Sequence, residues 1–398
     1  MQHAFPVVSL CTLTAAHAAP TQVSVQSPDA RNCIVLNLGG KDHGQLRYTI
    51  SRDGKLVIGP SPIGPVLSKS GAIGSDVRIA NAKKDQIDET FDLPWGKTVT
   101  VENRCARANV NLISASDVHW RVELRAYNDG VAFRYCLLQQ PGAGPFELID
   151  EETQFDVAGG ASALFDTLPS FTTSHEALYE HKPLAELPVK KLMDMPVLLT
   201  WPHGQAAAIT EARVRHFAGA YLERISICPG DGASPIFAPR TPQKLGQPPA
   251  SWDRLSERPT ADSTTLRCRL APLPKNKKLC VIGKAPLESP WRVVLLADVA
   301  GKLLESNILL CLNDPPQGDF SWLRPGKTTF HWWYGEFEDD YKSSSESDVY
   351  FRRHCKYIDF CAKNNIAYHA ISGDGYAWYV QSKADYGSYM PDADVRRP

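Results

Sequence analysis

The stretch Arg121-Val-Glu-Leu-Arg-Ala-Tyr127, then Asn128-Asp-Gly130, then Val131-Ala-Phe-Arg-Tyr135 constrains this chain more than any other feature. Polar and apolar residues alternate, which places Val122, Leu124 and Ala126 on one face of a strand. Asn-Asp-Gly supplies a tight reversal, so the next apolar run returns as the antiparallel partner. Leu46 to Ile50, the turn Arg52-Asp-Gly-Lys55 and Leu56 to Ile58 repeat the scheme. Val197 to Trp201, Ala206 to Thr210, Trp291 to Ala297 and Asn307 to Leu312 read as further strands. Strands apolar on one face need a second layer to cover them, so residues 21–312 predict a large two-sheet sandwich. Residues 229–274, rich in Pro, Gly, Ser and Arg, read as a long surface excursion with little core.

The pattern switches near Asn313-Asp-Pro-Pro-Gln-Gly318. Thr328 to Tyr334 looks like a buried strand. Ser343 to Asn364 reads as a helix capped by Ser347, with Phe351, His354, Tyr357, Ile358 and Cys361 at steps of three and four. Asn364-Asn365 suits a left-handed C-terminal cap, and Ile366 to Ser372 follows as a second strand. Strand, helix, strand is the opening unit of a parallel α/β sheet or of a (β/α)8 barrel. About 85 residues follow the hinge, against about 250 for a whole barrel. The expectation is therefore the front of a longer protein, with Phe330, Trp332, Trp333 and the apolar helix face short of neighbours.

Composition narrows the function classes. Lys+Arg 43 against Asp+Glu 44 leaves no positive surplus for tracking phosphates or coating a membrane, so nucleic acid is not an expected partner. No apolar run reaches the roughly 18 residues of a membrane span. Residues 1–19 have the form of a signal peptide: Phe5 to Ala16 is mostly apolar and Ala16-His17-Ala18 fits the small-x-small cleavage pattern. A basic leader is missing, and a misassigned start is the alternative; export implies a periplasmic or secreted protein. The ten cysteines are dispersed, with no Cys-x-x-Cys pair, so they do not organise the fold, although one or two disulfides are compatible with the spacing.

Several segments together resemble glycoside hydrolase family 97. They are Ser51-Arg-Asp-Gly-Lys55 with Pro60-Ser-Pro-Ile-Gly64, Leu124 to Tyr135, Ile209-Thr-Glu-Ala212 with Gly219-Ala-Tyr-Leu222, and Ser289 to Val294. Leu304 to Asn313, Gly326 to Trp333 and Tyr357 to Ile366 continue the series in the same order. The resemblance implies a calcium-dependent, exo-acting α-glucosidase or α-galactosidase. It also implies an N-terminal β-supersandwich over residues 20–312, a linker over 313–327, and over 328–398 the truncated start of a (β/α)8 catalytic barrel. The substrate would be an oligosaccharide with a terminal α-linked hexose. The two carboxyl groups that glycoside hydrolysis needs would come from later barrel strands, beyond residue 398, so the chain by itself is expected to be inactive. The other reading is a non-catalytic carbohydrate-binding or interaction module on the sandwich.

Glu211, at the end of an apolar strand, is by the resemblance a calcium ligand lent by the sandwich to the barrel site; without it, a solvated strand-end Glu explains the residue. Calcium takes 6–8 oxygens, so one Glu is only part of a site. Glu176, in Ser174-His-Glu-Ala-Leu-Tyr179, is a second metal candidate or a surface-turn residue. Trp332 and Trp333 offer faces for stacking on a pyranose, with barrel packing as the alternative for at least one of them. Asp374, in Gly373-Asp-Gly375, and the nearby Trp378 follow the second strand, on the side where barrel sites gather. A Gly-Asp-Gly turn accounts for Asp374 equally well.

Overall fold

The structure, a computed structural model, describes residues 21–38, 44–142, 144–225, 264–330, 347–370, 379–380 and 390–391. The chain divides into two compact units, Met1–Pro315 and Pro316–Pro398. In the first, the central element is a ten-stranded sheet. Its strands run in the order Glu180–Pro183, Ser162–Phe165, Val197–Thr200, Ala206–Ala212, Trp291–Ala297, Gly130–Leu137, His119–Tyr127, Thr100–Ile113, Arg78–Asp92. Leu287–Glu288 pairs beside Gly130–Leu137. Three four-stranded sheets complete the unit. One holds Gln22–Gln26, Asn32–Leu38, Leu46–Arg52 and Lys55–Pro62; one centres on Phe146–Glu151; one orders Gln154–Asp156, Thr265–Leu270, Ala220–Arg224 and Leu192–Met193.

The hairpin read from the sequence forms as expected. Tyr127 pairs with Gly130, then Ala126 with Val131, Leu124 with Phe133 and Val122 with Tyr135. Because side chains alternate along a strand, Val122, Leu124, Ala126, Val131, Phe133 and Tyr135 share one face, and there they meet Ile34, Leu36 and Tyr48 from one small sheet and Leu222 and Leu266 from another in a single core. The opposite face of the large sheet carries Ala132, Trp291, Val293 and Leu295, packed with Ile308, Cys311 and Leu312. Trp291–Ala297 is thus buried along its whole length, as a strand covered on both faces must be. At one end of the sheet, Arg78–Asp92 is largely exposed and carries Lys83, Lys84, Asp85, Asp88 and Glu89, charges that discourage further strand pairing.

Two sequence expectations are corrected. Asn307–Leu312 was expected as a strand, but Ile308–Leu312 is a short helix: Ile308, Cys311 and Leu312 bury at three- and four-residue spacing, and periodicity cannot tell so brief an apolar run from a strand. The expected excursion at 229–274 is too wide at its end. Thr265–Leu270 is an internal strand with Leu266, Cys268 and Leu270 alternately buried, while residues 226–263 lie outside the described residues. The eight cysteines among the described residues are all free. No helix among them is long and apolar enough to cross a membrane.

Asp150, buried on Phe146–Glu151, accepts the Leu270 N–H at 2.9 Å and faces Arg269 at 3.2 Å. Burial outweighs both and pushes its carboxyl up to about 6. The folded state therefore holds this proton where the unfolded chain, near 4, has released it, and the associated stability is lost as pH rises from about 4 through 6. Between pH 4.5 and 7.5, Asp150→Asn is expected to gain roughly 2–3 kcal/mol on the parent in urea unfolding free energy. A constant difference across that window would show that Asp150 does not titrate there.

In the second unit, Thr328–Phe330 and Tyr368–Ala370 pair in parallel, Thr329 opposite His369, with the helix Ser347–Lys363 between them in sequence. Asn365, at φ 54°, ends the helix in the left-handed conformation read from Asn364-Asn365. Among the helix residues whose burial is described, His354 and Cys361 are buried, whereas Ile358, expected on the apolar stripe, is 51% exposed. His369 Nδ1 lies 2.7 Å from Thr329 Oγ1, and its Nε2 lies 2.6 Å from His354 Nδ1.

Candidate functional site

Alternation decides where Glu211 points. On Ala206–Ala212 the residues Ala207 and Ile209 face the main core, so Glu211 closes the same inward row. Directly across the ladder stands Arg292, from the row of Val294 and Leu296. Two charges thus sit between the layers, where neither is tolerated without partners. Arg292 Nη1 donates to Glu211 Oε2 at 2.6 Å. Its Nε and Nη2 donate to the two oxygens of Glu151, each at 2.8 Å, a bidentate clasp. The Tyr135 hydroxyl donates to Glu151 Oε2 at 3.1 Å. Arg292 and Glu151 are sealed off, with side chains 2% and 0% exposed, whereas Glu211 keeps 16%.

After Ala212 the chain loops through residues 213–219 and returns as Ala220–Arg224, so that the Ala220 N–H donates to Glu211 Oε1 at 3.1 Å. Burial raises the Glu211 carboxyl above the usual carboxylate range, against the pull of Arg292 and the Ala220 N–H. Burial also holds the Tyr135 phenol and the Cys268 thiol well above their ordinary values, so both stay neutral. The cluster is left with two carboxylates and one guanidinium, one negative charge in excess, at the mouth of the core.

Beside it lies a second pair. His175 Nδ1 is 2.6 Å from Asp194 Oδ2, and the Tyr221 hydroxyl lies 3.5 Å from His175 Nε2. Tyr221 follows Ala220, stacks edge-on with Phe171 at 5.1 Å, and has its phenol raised by burial and by both Asp194 and Glu211. His175 sits at φ 60°, a left-handed conformation uncommon for a non-glycine residue. Asp194 is itself fixed, its Oδ1 accepting the Met195 N–H at 2.8 Å and its own N–H reaching Asp166 Oδ1 at 3.2 Å.

On the other face of the same strands, Arg134 links Glu123 and Glu288, and Arg213 links Glu288 to Asp314. Arg215 Nη1 also reaches Asp314, at 2.8 Å. The guanidiniums of Arg125 and Arg134 lie 4.7 and 4.6 Å from the Trp291 ring centroid.

Of the residues singled out from sequence, Glu211 is therefore at the strand end but faces inward, on Arg292. Glu176 is exposed; its neighbour His175 is the residue that meets Tyr221. Trp332, Trp333, Asp374 and Trp378 lie outside the described residues, as does the signal-peptide segment. Sequence reading passed over Arg292 and Glu151. Arg292 had a signal, a lone cation inside Trp291-Arg-Val-Val-Leu-Leu-Ala297, which demands a buried acid somewhere in the fold. Asp150-Glu-Glu152 had none, since three consecutive acids read as a solvated turn, yet all three are buried. Among the described residues no three His, Cys, Asp or Glu side chains gather as a metal site. Glu211 still suits a hard cation: it is an oxygen donor, partly open, in a cluster with negative charge to spare.

A family profile described as glycosyl-hydrolase 97 N-terminal matches residues 25–315. A retaining alpha-galactosidase of Bacteroides thetaiotaomicron is 24% identical over 399 residues, covering 97% of this chain and 54% of its own length. A probable retaining alpha-galactosidase of Streptomyces bingchenggensis is 22% identical, covering 94% and 49%. The chain thus spans about half the length of the curated relatives it matches. Among solved structures, a glycoside hydrolase family 97 enzyme from Pseudoalteromonas sp. strain K8, in complex with panose, superposes with a TM-score of 0.71 at 21% identity, over 94% of this chain and 51% of that one. At that identity the likeness speaks for the fold.

Proposed function

Since the chain belongs to glycoside hydrolase family 97 and carries that family's N-terminal domain, we propose that it serves exo-acting hydrolysis of a terminal α-linked galactose or glucose, with Glu211 as a calcium ligand supplied by the β-domain. The observation that carries this reading is the Glu211 cluster: a strand-end carboxylate, partly open, in a group of charges one negative in excess. The names of the relatives, alpha-galactosidases and a panose complex, support an α-glycoside as substrate. Calcium bound there would act as a Lewis acid and a template for the sugar. This chain's part is to hold one ligand: Arg292 and the Ala220 N–H fix the two oxygens of Glu211, and each oxygen retains a lone pair for the metal. The parallel strand–helix–strand of the second unit is read as the first repeat of the catalytic barrel, and residues 1–19 as an export signal. The acid and base of the reaction are assigned to no residue of this chain.

Two polypeptides test the proposal: the 398-residue chain, and its reading frame carried through to its own stop. With 4-nitrophenyl α-galactoside and α-glucoside, the 398-residue chain is expected to show no turnover. The complete frame is expected to hydrolyse at least one of them, to stop when calcium is chelated, and to lose at least 100-fold in kcat/KM as Glu211→Gln. Turnover by the 398-residue chain, or chelator-resistant turnover by the complete frame, would sink the proposal.

A further inference from the structure

Resting on the reading of Glu211 as a cation ligand, we propose that Glu151, a residue sealed in the core, sets the affinity of that site by keeping Arg292 from neutralising Glu211. Arg292 stands 2.6 Å from Glu211 and would, alone, form a closed ion pair with it. A cation arriving at Glu211 would then compete with a fixed guanidinium for the same carboxylate. The bidentate clasp from Glu151, two bonds of 2.8 Å in a site with no solvent exposure, supplies a counter-charge that Arg292 cannot leave. Arg292 is neutralised from the inside, and the charge of Glu211 is left for the outside.

The other groups near the cluster do not disturb this balance. Tyr135 donates to Glu151 and so holds it in place without changing the charge. Cys268, facing Glu151 and Arg292 from Thr265–Leu270, stays a thiol. The Ala220 N–H fixes the second oxygen of Glu211. On the outer side, Asp194 Oδ2 is engaged by His175 Nδ1 at 2.6 Å. Low effective dielectric makes each charge in such a cluster count for more than it does at a surface.

A positional role for the pair and a charge-setting role predict different outcomes. Terbium(III), a calcium-sized probe, is titrated against the complete reading frame by aromatic-sensitised luminescence, with Glu211→Gln as background. Glu151→Gln retains a hydrogen-bonding side chain but removes the counter-charge, and is expected to weaken binding at the Glu211 site at least tenfold. Removing both charges, in the double variant Glu151→Gln with Arg292→Met, restores the excess negative charge and is expected to return affinity to within about threefold of the parent. Exchange of a whole buried ion pair for uncharged groups is commonly tolerated, so the double variant decides the matter even where the single one does not fold. Unchanged affinity in Glu151→Gln, or a double variant as weak as Glu211→Gln, overturns the inference. A complete frame whose terbium signal equals that of its Glu211→Gln variant overturns the metal reading itself, and the inference with it.

Discussion

Replacing Arg292 with methionine is expected to lower the free energy of unfolding by about 3–5 kcal/mol, the cost of stripping a buried acid of its cation. Glu151 has no exposure through which water could take the place of the guanidinium, and its remaining partner, the Tyr135 hydroxyl at 3.1 Å, supplies one neutral hydrogen bond. Glu211 fares better, because it is partly open and keeps the Ala220 N–H. The loss should therefore follow Glu151, and the double variant with Glu151→Gln should recover a large part of it. Urea denaturation checks both, as a lowered midpoint at constant slope. A loss below about 1 kcal/mol for Arg292→Met would mean that the clasp contributes little.

Trp291, the preceding residue, points to the opposite face and is expected to matter as much for another reason. Its ring is 1% exposed, packed in the second core cluster below two guanidiniums. Trp291→Ala leaves a cavity in a sheet face that the short helix Ile308–Leu312 cannot collapse to fill, at a cost of about 3–5 kcal/mol. Loss of the two cation–π contacts adds to this, by about 0.5–1 kcal/mol each. Trp291→Phe keeps an aromatic face under Arg125 and Arg134 and should recover more than half. Equal losses for Ala and Phe in the same urea experiment would assign the effect to the indole alone.

These neighbours mark what a sequence can and cannot reveal here. Period-two alternation with Asn-Asp-Gly and Asp-Gly turns made the hairpin at 119–137 and the β-sheet character of the first unit legible, because one apolar face and a tight reversal leave few alternatives. Ile308–Leu312 was misread because five apolar residues cannot distinguish a strand from one helical turn and a half. Thr265–Leu270 was hidden by the Pro- and Gly-rich sequence before it. At the site, Glu211 was found from a resemblance and its strand-end position, but its partners come from strands 60 and 81 residues away in the chain. That pairing is fixed by ladder register, Glu211 opposite Arg292, and register is a property of the assembled sheet rather than of either segment.

Arg213 and Arg215 both hold Asp314, one residue before the first unit ends, and the loop they belong to begins directly behind Glu211 and ends at the Ala220 N–H that binds it. Tension on the departing polypeptide would thus be borne by the very turn that seats Glu211. The anchorage of the exit and the aim of that carboxylate are, mechanically, one fitting.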